Sequence, residues 1–450
     1  MLTRRSVTAL RARISDATRD RVAIAAIVVL ISGQGFRYLL GLRLYAAVCA
    51  AVILAVAACF PLSRRTLRVP PLLWAYVAFA AVGIAWSATR PITALAVLVM
   101  IATTYLAVSI VGGMSPARFM DCLYRGLQVS LFGAVAFELF VTFAVGHPVL
   151  PLSGDLARLA PDGTTVASVR WSEELLLRGG PIQGFVGNRN PTAAIALFAA
   201  IAALAVWWEG RARRFDAIAT LGTAIGVMLL TRSATVTAAA LYVGVLALAA
   251  FAIRGSPARL RRPVSVAVVV GTAASVLLTM KFRWLVFGLL GRSPEATHRT
   301  SIWSAVIHAS ERRPQGWGFV GYWPGWEQPY SGILERAGVF APHAHNAFLD
   351  TWLQLGVVGL ALLVAIVVQL GGNAWRLVRA SSGRSTYLHL GWALIAAALL
   401  TEALTESRML VEGGWFLLVA LLISTARAAK SAATPRVLAG VALPAPAPAP

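Results

Sequence analysis

The sequence predicts an all-α fold, a polytopic bundle of about 12 transmembrane helices with two large extracytoplasmic loops. Charged residues make up only 13% of the 450 residues and hydrophobic residues 58%, with a mean hydropathy of +0.73. A soluble protein carries about 25% charged residues. Apolar runs recur along the whole chain, and many approach the ~20 residues that span a bilayer.

The net charge of +22 does not indicate nucleic-acid binding. The basic residues sit in short clusters between apolar runs, and no soluble stretch could carry a basic nucleic-acid-binding domain. The three cysteines, Cys49, Cys59 and Cys122, lie in apolar surroundings and predict neither a disulfide framework nor a metal site.

The apolar runs place the spans in order along the chain. Gly33-Gln34-Gly35 interrupts the first run, and Glu412 crowds the last. No cleavable signal peptide is apparent, so the first run is expected to remain as an anchor. The predicted spans are at about 22–36, 44–62, 72–88, 92–112, 126–146, 191–208, 216–231, 234–253, 264–281, 349–370, 388–405 and 413–426.

These spans divide the chain into six parts. Helices one to five occupy 1–146, helices six to nine 191–281, and helices ten to twelve 349–426. Two long polar segments, 147–190 and 282–348, separate these groups, and a Pro/Ala-rich tail follows at 427–450. Long loops on a membrane scaffold are where binding and catalysis are usually built.

The distribution of Lys and Arg predicts the orientation, because these residues accumulate in cytoplasmic loops. With the N-terminus inside, the inner segments carry 24 of them and the short outer loops carry five, among them Arg37, Arg232 and Arg408. Both termini are therefore expected in the cytoplasm, and both long loops outside.

The most informative segment is Pro342-His343-Ala344-His345-Asn346, at the outer mouth of the tenth span. A neutral imidazole beside an orienting amide could act as a general base. A histidine pair that caps the helix at the interface would give the same pattern. An H-x-H metal half-site needs further ligands, and the nearby acids Glu335 and Asp350 are not at a recognised spacing.

Two arginines lie at membrane edges on the same predicted side. Arg189 precedes the sixth span, and Arg232 lies between two apolar helices with almost no loop. Arginine so close to hydrocarbon is costly unless it binds an anion, lines a cavity or snorkels to the surface. Because guanidinium presents paired donors and keeps its proton, it suits a pyrophosphate.

Two further clusters have mainly structural interpretations. Arg299-x3-Trp303 begins a predicted short amphipathic helix along the membrane, followed by a turn at Pro314-x-Gly316-x-Gly318. Glu402 and Glu406, one helical turn apart, could relay protons, which would favour transport. They could equally pair with Arg408 or a loop arginine.

Together these segments resemble the O-antigen ligase and polymerase superfamily of bacterial membrane glycosyltransferases. Its signature is His, then Asn, Ser or Gln, nine residues, Gly, two residues, and Gly, Thr or Tyr. Here His345-Asn346, nine residues, Gly356, two valines and Gly359 match it completely. Gly187-Asn188-Arg189-Asn190-Pro191, Thr231-Arg232-Ser233 and the Arg299–Gly318 stretch also look like family blocks, although Thr231 stands where Ser is common. The resemblance covers roughly 180–360.

The resemblance implies transfer of a glycan from a polyprenyl-diphosphate carrier to an acceptor hydroxyl outside the bacterial inner membrane. It implies His345 as catalytic base and Arg189 and Arg232 as diphosphate clamps. His343, Arg299 and Asn346 are supporting substrate-binding candidates. No metal, cofactor or nucleotide sugar is implied. The expected partners are the lipid-linked donor, a glycan, lipid or protein acceptor and membrane lipids.

The alternative is a transporter or flippase of lipid-linked glycan or small solute, with Glu402, Glu406 and the arginines along its path. The long outer loops and the His345-Asn346 signature argue against it. The resemblance leaves open whether the chain ligates, polymerises or glycosylates protein.

Overall fold

The computed structural model describes residues 14–62, 69–153, 170–281, 299–339, 341–380 and 387–433. These ranges contain 14 α-helices and no β-strand, so the all-α prediction is confirmed. The helices are α1 Asp16–Ile31, α2 Gly33–Cys59, α3 Pro71–Val82, α4 Arg90–Gly113, α5 Pro116–Phe140, α6 Arg189–Trp208, α7 Arg214–Thr231, α8 Ala234–Gly255, α9 Ala258–Lys281, α10 Arg299–Glu311, α11 Tyr330–Ala337, α12 Ala347–Arg379, α13 Tyr387–Ala403 and α14 Glu412–Ala433.

Within the described ranges, eight helices are long and apolar enough to cross a membrane: α2, α4, α5 with its continuation to Val145, α6, α7, α8, α12 and α14. Helices α3 and α13 are apolar but shorter. The chain is thus a multi-pass membrane protein. The N-terminal basic segment before residue 14, the middle of the first long loop (154–169), the beginning of the second (282–298) and the Pro/Ala-rich tail beyond 433 lie outside the described residues.

Helix α5 begins ten residues before the predicted start of its span, at Pro116. Its first turns are polar, so hydrophobicity alone does not reveal them. Ser115 caps the helix, and ion pairs fix these turns to neighbouring elements, Arg211 with Asp121 and Arg125 with Asp216. This end of the bundle holds several of the basic side chains that are predicted to lie on the cytoplasmic side of the membrane.

The first predicted span is divided at the Gly33-Gln34-Gly35 interruption. Helix α1 ends at Ile31, and α2 begins at Gly33 and bends at Gly41, where φ is 75°. The prediction that Arg37 lies in a short loop is wrong: it lies on α2, and its guanidinium forms an ion pair with Glu412 at the start of α14.

Helix α12 is broken at Gly356, the first glycine of the family signature, where φ is 63° and ψ is −163°. The break frees the carbonyls of Leu353 and Gln354, which accept hydrogen bonds from the N–H groups of Trp317 (3.0 Å) and Gly318 (2.8 Å). The positive φ and the close approach of the Pro314 carbonyl both exclude a side chain at Gly356. The Pro314-x-Gly316-x-Gly318 turn is therefore structural, and it docks the large loop onto α12.

Candidate active site

The two loop histidines occupy a tight turn that leads into α12. His345 has a left-handed backbone with φ of 50°, and its N–H donates to Nδ1 of His343 at 3.1 Å. An acceptor at Nδ1 leaves the proton of neutral His343 on Nε2. The ring centroids lie 4.2 Å apart. His343 thus shapes the turn that presents His345.

Asn346 caps α12 and does not orient the imidazole as the sequence suggested. Its Oδ1 accepts from the N–H groups of Phe348 (2.9 Å) and Leu349 (3.1 Å), and its Nδ2 donates to the carbonyl of Leu404 (3.1 Å). Such an N-cap satisfies free donors of the first turn. Asn346 therefore positions the turn against the α13–α14 loop.

The peptide groups of Ala344, between the two histidines, are held from both sides. The N–H donates to Oδ2 of Asp350 at 3.2 Å, and the carbonyl accepts from Nε1 of Trp303 at 2.9 Å. Oδ1 of Asp350 in turn accepts from the indole N–H of Trp323 at 2.8 Å. Helices α10 and α12 thus hold the turn between them.

Glu406, in the α13–α14 loop, is the centre of the site. Its Oε2 lies 3.2 Å from Nδ1 of His345 and 3.8 Å from Nε2 of His343. Its Oε1 accepts from Nη2 of Arg299 at 3.0 Å and from Nδ2 of Asn190 at 2.8 Å. The side chain is only 4% exposed. One buried carboxylate therefore joins groups from three separate parts of the chain.

The charge states follow from these contacts. Burial alone would raise the pKa of the Glu406 carboxyl, but the hydrogen bond with His345 and the charge of Arg299 help lower it to about 2. Burial lowers the pKa of His343 to about 3, and the neighbouring His345 imidazole acts in the same direction. At neutral pH Glu406 is ionised and His343 is uncharged, so their contact is not an ion pair.

The two predicted clamp arginines lie on segments that reach this centre. Arg232 is exposed and ends α7 with a left-handed backbone, φ 47°. The hydroxyl of the next residue, Ser233, donates to Oδ1 of Asn190 at 2.8 Å, and Asn190 is bonded to Glu406. Arg189 directly precedes Asn190 at the start of α6 and is half-buried. Arg299, the third predicted arginine, donates to Glu406 itself.

The expectation that Glu402 and Glu406 pair with Arg408 or a loop arginine is confirmed, because Glu402 pairs with Arg408 at 3.0 Å and Glu406 with Arg299. The sequence did not indicate that Glu406 also meets both histidines. The available signal was a carboxylate at the outer end of a span, which membrane burial makes costly unless it has a partner.

Glu406 and the two histidines together form a group of side chains that could be considered as ligands of a metal ion. His343, His345 and Glu406 each offer a ligand atom, and these atoms lie within 4.8 Å of one another. Along the sequence, the acids near the histidines are Glu335 and Asp350, whereas Glu406 lies 61 positions from His345. However, Arg299 already donates to Glu406, so a divalent cation there would be repelled by the guanidinium. The contacts favour a charge-neutralised carboxylate over a metal ligand.

The arrangement is suited to general-base catalysis. If Nδ1–H of His345 donates to Glu406, Nε2 carries the lone pair and can accept a proton. The ionised carboxylate then stabilises the imidazolium that forms, as in other histidine–carboxylate pairs. The His345 side chain is 27% exposed, so a substrate can reach it while Glu406 stays buried.

Comparison with known proteins relates part of the chain to a described family. Residues 219–364 match the family described as O-Antigen ligase, a region that includes Arg232, Arg299, both histidines and Gly356. Arg189 and Glu406 lie outside it. Over 107 residues the chain is 32% identical to the exopolysaccharide production protein ExoQ of Rhizobium meliloti (strain 1021), covering 22% of this chain and 23% of that protein. The chain thus spans under a quarter of the length of this curated relative.

Proposed function

Because the chain belongs to the O-antigen ligase and polymerase superfamily, we propose that it is a membrane glycosyltransferase that moves a glycan from a polyprenyl-diphosphate carrier to an acceptor hydroxyl. The reaction would ligate or polymerise cell-surface polysaccharide. The observation that carries the proposal is the contact between His345 and Glu406, beside the segments that hold Arg189 and Arg232.

In the proposed reaction, Nε2 of His345 takes the proton of the acceptor hydroxyl. The oxygen attacks the anomeric carbon opposite the diphosphate and forms the new C–O bond. The bond from that carbon to the diphosphate oxygen breaks, and its electron pair leaves with the diphosphate. Displacement in one step inverts the anomeric carbon. Glu406 holds the imidazole and stabilises its charged form.

Arg232 and Arg189 are proposed to bind the diphosphate, since guanidinium can hold two phosphate oxygens at once. For Arg299 we propose a positioning role instead of the substrate-binding role that the resemblance implies. Because its guanidinium already donates to Glu406, we assign it to positioning the carboxylate. The same contact supports a metal-independent reaction, for which we expect full activity in the presence of EDTA.

The site is proposed to face the extracytoplasmic side of the bacterial inner membrane, with both termini in the cytoplasm. The excess of Lys and Arg in the opposite loops supports this orientation. Reporter fusions after residues 165 and 330 should register outside, and fusions after 212, 258 and 380 inside. A cytoplasmic signal at 330 would rule out an outer active site.

The decisive experiment is His345→Ala in purified full-length protein reconstituted with lipid-linked glycan and acceptor. A positioned base contributes roughly 10²–10⁴-fold in rate. We therefore expect transfer to fall by about that factor while donor binding is retained. Wild-type turnover would refute the proposed base. In cells, deletion of the gene should leave lipid-linked donor on the outer face, whereas loss of a flippase would trap it inside.

A further inference from the structure

Glu138, near the end of α5, carries a buried carboxyl group that the proposed reaction does not use. Its side chain is 0% exposed. Oε1 accepts from the N–H groups of Gln183 (3.0 Å) and Gly184 (2.6 Å), and Oε2 accepts from Oγ of Ser172 at 2.9 Å. A buried carboxyl group is costly unless its oxygens have partners. Here two peptide groups and a hydroxyl of the loop between α5 and α6 supply them, so Glu138 ties this loop to the bundle.

The two peptide groups that Glu138 holds lie in the last part of the loop, Gly179–Asn188, which we call the linker segment. Gly184 has a left-handed backbone with φ of 62°, and a β-carbon there would stand 2.9 Å from Cγ2 of Thr192 and 3.0 Å from Cβ of Ala134. The hydroxyl of Thr192 also donates to the carbonyl of Gln183 at 2.6 Å. Helices α5 and α6 therefore hold the linker segment from both sides at close range.

At its C-terminal end the linker segment passes directly into α6, which begins at Arg189. The N–H of Asn188 donates to the carbonyl of Gln183 at 3.2 Å, and the side chain of Asn188 caps the helix. The turn that Glu138 holds is thus closed onto the residue that precedes Arg189. Because the turn and the helix start share these hydrogen bonds, a displacement of the turn would move the start of α6.

At its N-terminal end the linker segment lies against the end of α7. The N–H of Ile182 donates to the carbonyl of Leu230 at 3.0 Å. Gly180 passes so close to the same carbonyl that a β-carbon there would collide with it. Nη2 of Arg232 lies 3.3 Å from the position that a β-carbon on Gly179 would take. One short segment therefore runs from the guanidinium of Arg232 to the start of α6.

We propose that Glu138 is a positioning residue for the lipid diphosphate, because through the linker segment it sets the separation of Arg189 and Arg232. The inference rests on the proposed function, in which these two arginines bind the donor. Glu138 acts on them only through the backbone of the segment. Two guanidinium groups held at a fixed separation favour a ligand with two phosphates over a ligand with one. Glu138 therefore contributes to the preference for diphosphate over monophosphate.

The test measures the binding of two sugar-free lipids, polyprenyl diphosphate and polyprenyl monophosphate, to the full-length protein in phosphatidylcholine nanodiscs. The wild-type protein should prefer the diphosphate by about tenfold or more, as one additional charge-assisted contact would give. Glu138→Ala removes the hydrogen bonds to the loop and should lower the affinity for diphosphate about tenfold, and that for monophosphate about twofold or less. Glu138→Gln keeps an oxygen for the N–H groups of Gln183 and Gly184, so it should retain most of the preference.

Thr192→Val loosens the same segment from α6 and keeps the shape of the side chain, so it is the second variant if Glu138→Ala does not fold. It loses the hydrogen bond to Gln183 and should lower the affinity for diphosphate about fivefold. The donor KM should rise by the same factor, with kcat and the acceptor KM unchanged. Thr220→Val is the matched control, because Thr220 is also buried and its hydroxyl donates to the carbonyl of Asp216 at 2.9 Å, toward the opposite end of α7.

An unchanged preference for diphosphate in Glu138→Ala and Thr192→Val would overturn the positioning role. Equal losses of affinity for both lipids, or equal losses in Thr192→Val and Thr220→Val, would also overturn it, because they would reveal only a general loss of structure. A wild-type protein without preference for diphosphate would overturn this inference together with the assignment of the two arginines. Failure of the proposed base is a separate result: His345→Ala would keep full turnover, whatever the lipid preference.

Discussion

Nδ1 of His345 lies 3.2 Å from Oε2 of Glu406, although 61 positions separate the two residues in the chain. His345 belongs to the turn before α12, and Glu406 to the loop between α13 and α14. The same carboxylate holds Arg299 and Asn190, so α6, α10 and both of these loops meet at one buried group. The geometry proposed for catalysis therefore depends on a residue outside the region that matches the family.

Glu406→Gln should reduce kcat by about 10²-fold or more, within the range for general-base catalysis. The amide can still contact His345 but cannot stabilise an imidazolium, and it carries no charge to pair with Arg299. The KM for the lipid-linked donor should change little, because the diphosphate is assigned to other arginines. Turnover in reconstituted protein measures both constants. Glu335→Gln, an exposed carboxylate on α11, is the matched control. Equal kcat in the two variants would contradict the role of Glu406.

Trp303→Phe should lower kcat by about tenfold with an unchanged donor KM. The change keeps an aromatic ring but removes the N–H that holds the carbonyl of Ala344, so Ala344 in the turn of His345 loses one of its two hydrogen bonds. Trp317→Phe is the control, because it also removes an indole hydrogen bond to backbone, at Ala309, away from the turn. A rise in KM alone, or equal losses in both variants, would show that Trp303 does not position the base.

The sequence predicts the features of the fold and the site that depend on neighbouring residues, and it does not predict those that depend on contacts between residues far apart in the chain. Each predicted span overlaps an observed helix because hydrophobicity is a local property. The His345 signature also lies within one short segment. The polar start of α5 was missed, since its stability comes from ion pairs with distant residues.

Two residues of the site also make contacts with distant parts of the chain that the sequence does not predict. Nothing near Glu406 in the sequence indicates that it meets both histidines, because the contact exists only once α13 and α14 pack beside the large loop. Asn346 was expected to orient the imidazole as its neighbour in the chain. In the structure its side-chain oxygen accepts hydrogen bonds at the start of α12, and its side-chain nitrogen donates to a carbonyl of the α13–α14 loop.

His343 and Glu406 should each make the protein less stable as the pH falls, each within its own pH window. The pKa of His343 is lowered from 6.5 to about 3. Below pH 6.5 the unfolded chain therefore binds a proton at this histidine that the folded protein does not bind, and the folded state becomes less stable as the pH falls. The pKa of Glu406 is lowered from 4.5 to about 2, so its contribution is complete above pH 4.5 and is lost as pH falls toward 2. Each group costs about 1.4 kcal/mol per pH unit within its window.

His343→Asn should reduce the loss between pH 6.5 and 4.5 by the share that His343 contributes, because asparagine does not titrate there and its oxygen can still accept the N–H of His345. Unfolding of the purified protein in SDS–detergent mixtures, followed against pH, measures the slope. His147→Asn, at an exposed histidine, should leave the slope unchanged. A wild-type slope in His343→Asn would mean that His343 is protonated in the folded protein.

The last prediction concerns the arginines. Arg232→Lys keeps the positive charge but loses the planar pair of donors that holds two phosphate oxygens. Both side chains meet the same backbone restriction at the left-handed φ of 47°, so folding should be equally tolerant of either. We expect the KM for the lipid-linked donor to rise about tenfold, since one charge-assisted hydrogen bond contributes about 1.5–3 kcal/mol. Arg189→Ala should raise it in the same way.

Arg211→Lys is the control, because Arg211 pairs with Asp121 at the opposite end of the bundle. The acceptor KM should stay constant in all three variants if Arg189 and Arg232 bind only the donor. Full activity of both Arg232→Lys and Arg189→Ala at limiting donor would show that these arginines merely snorkel to the membrane surface. The diphosphate would then require other cations at this end of the bundle. Arg299 would be the first to test, because its contact with Glu406 already places it beside the base.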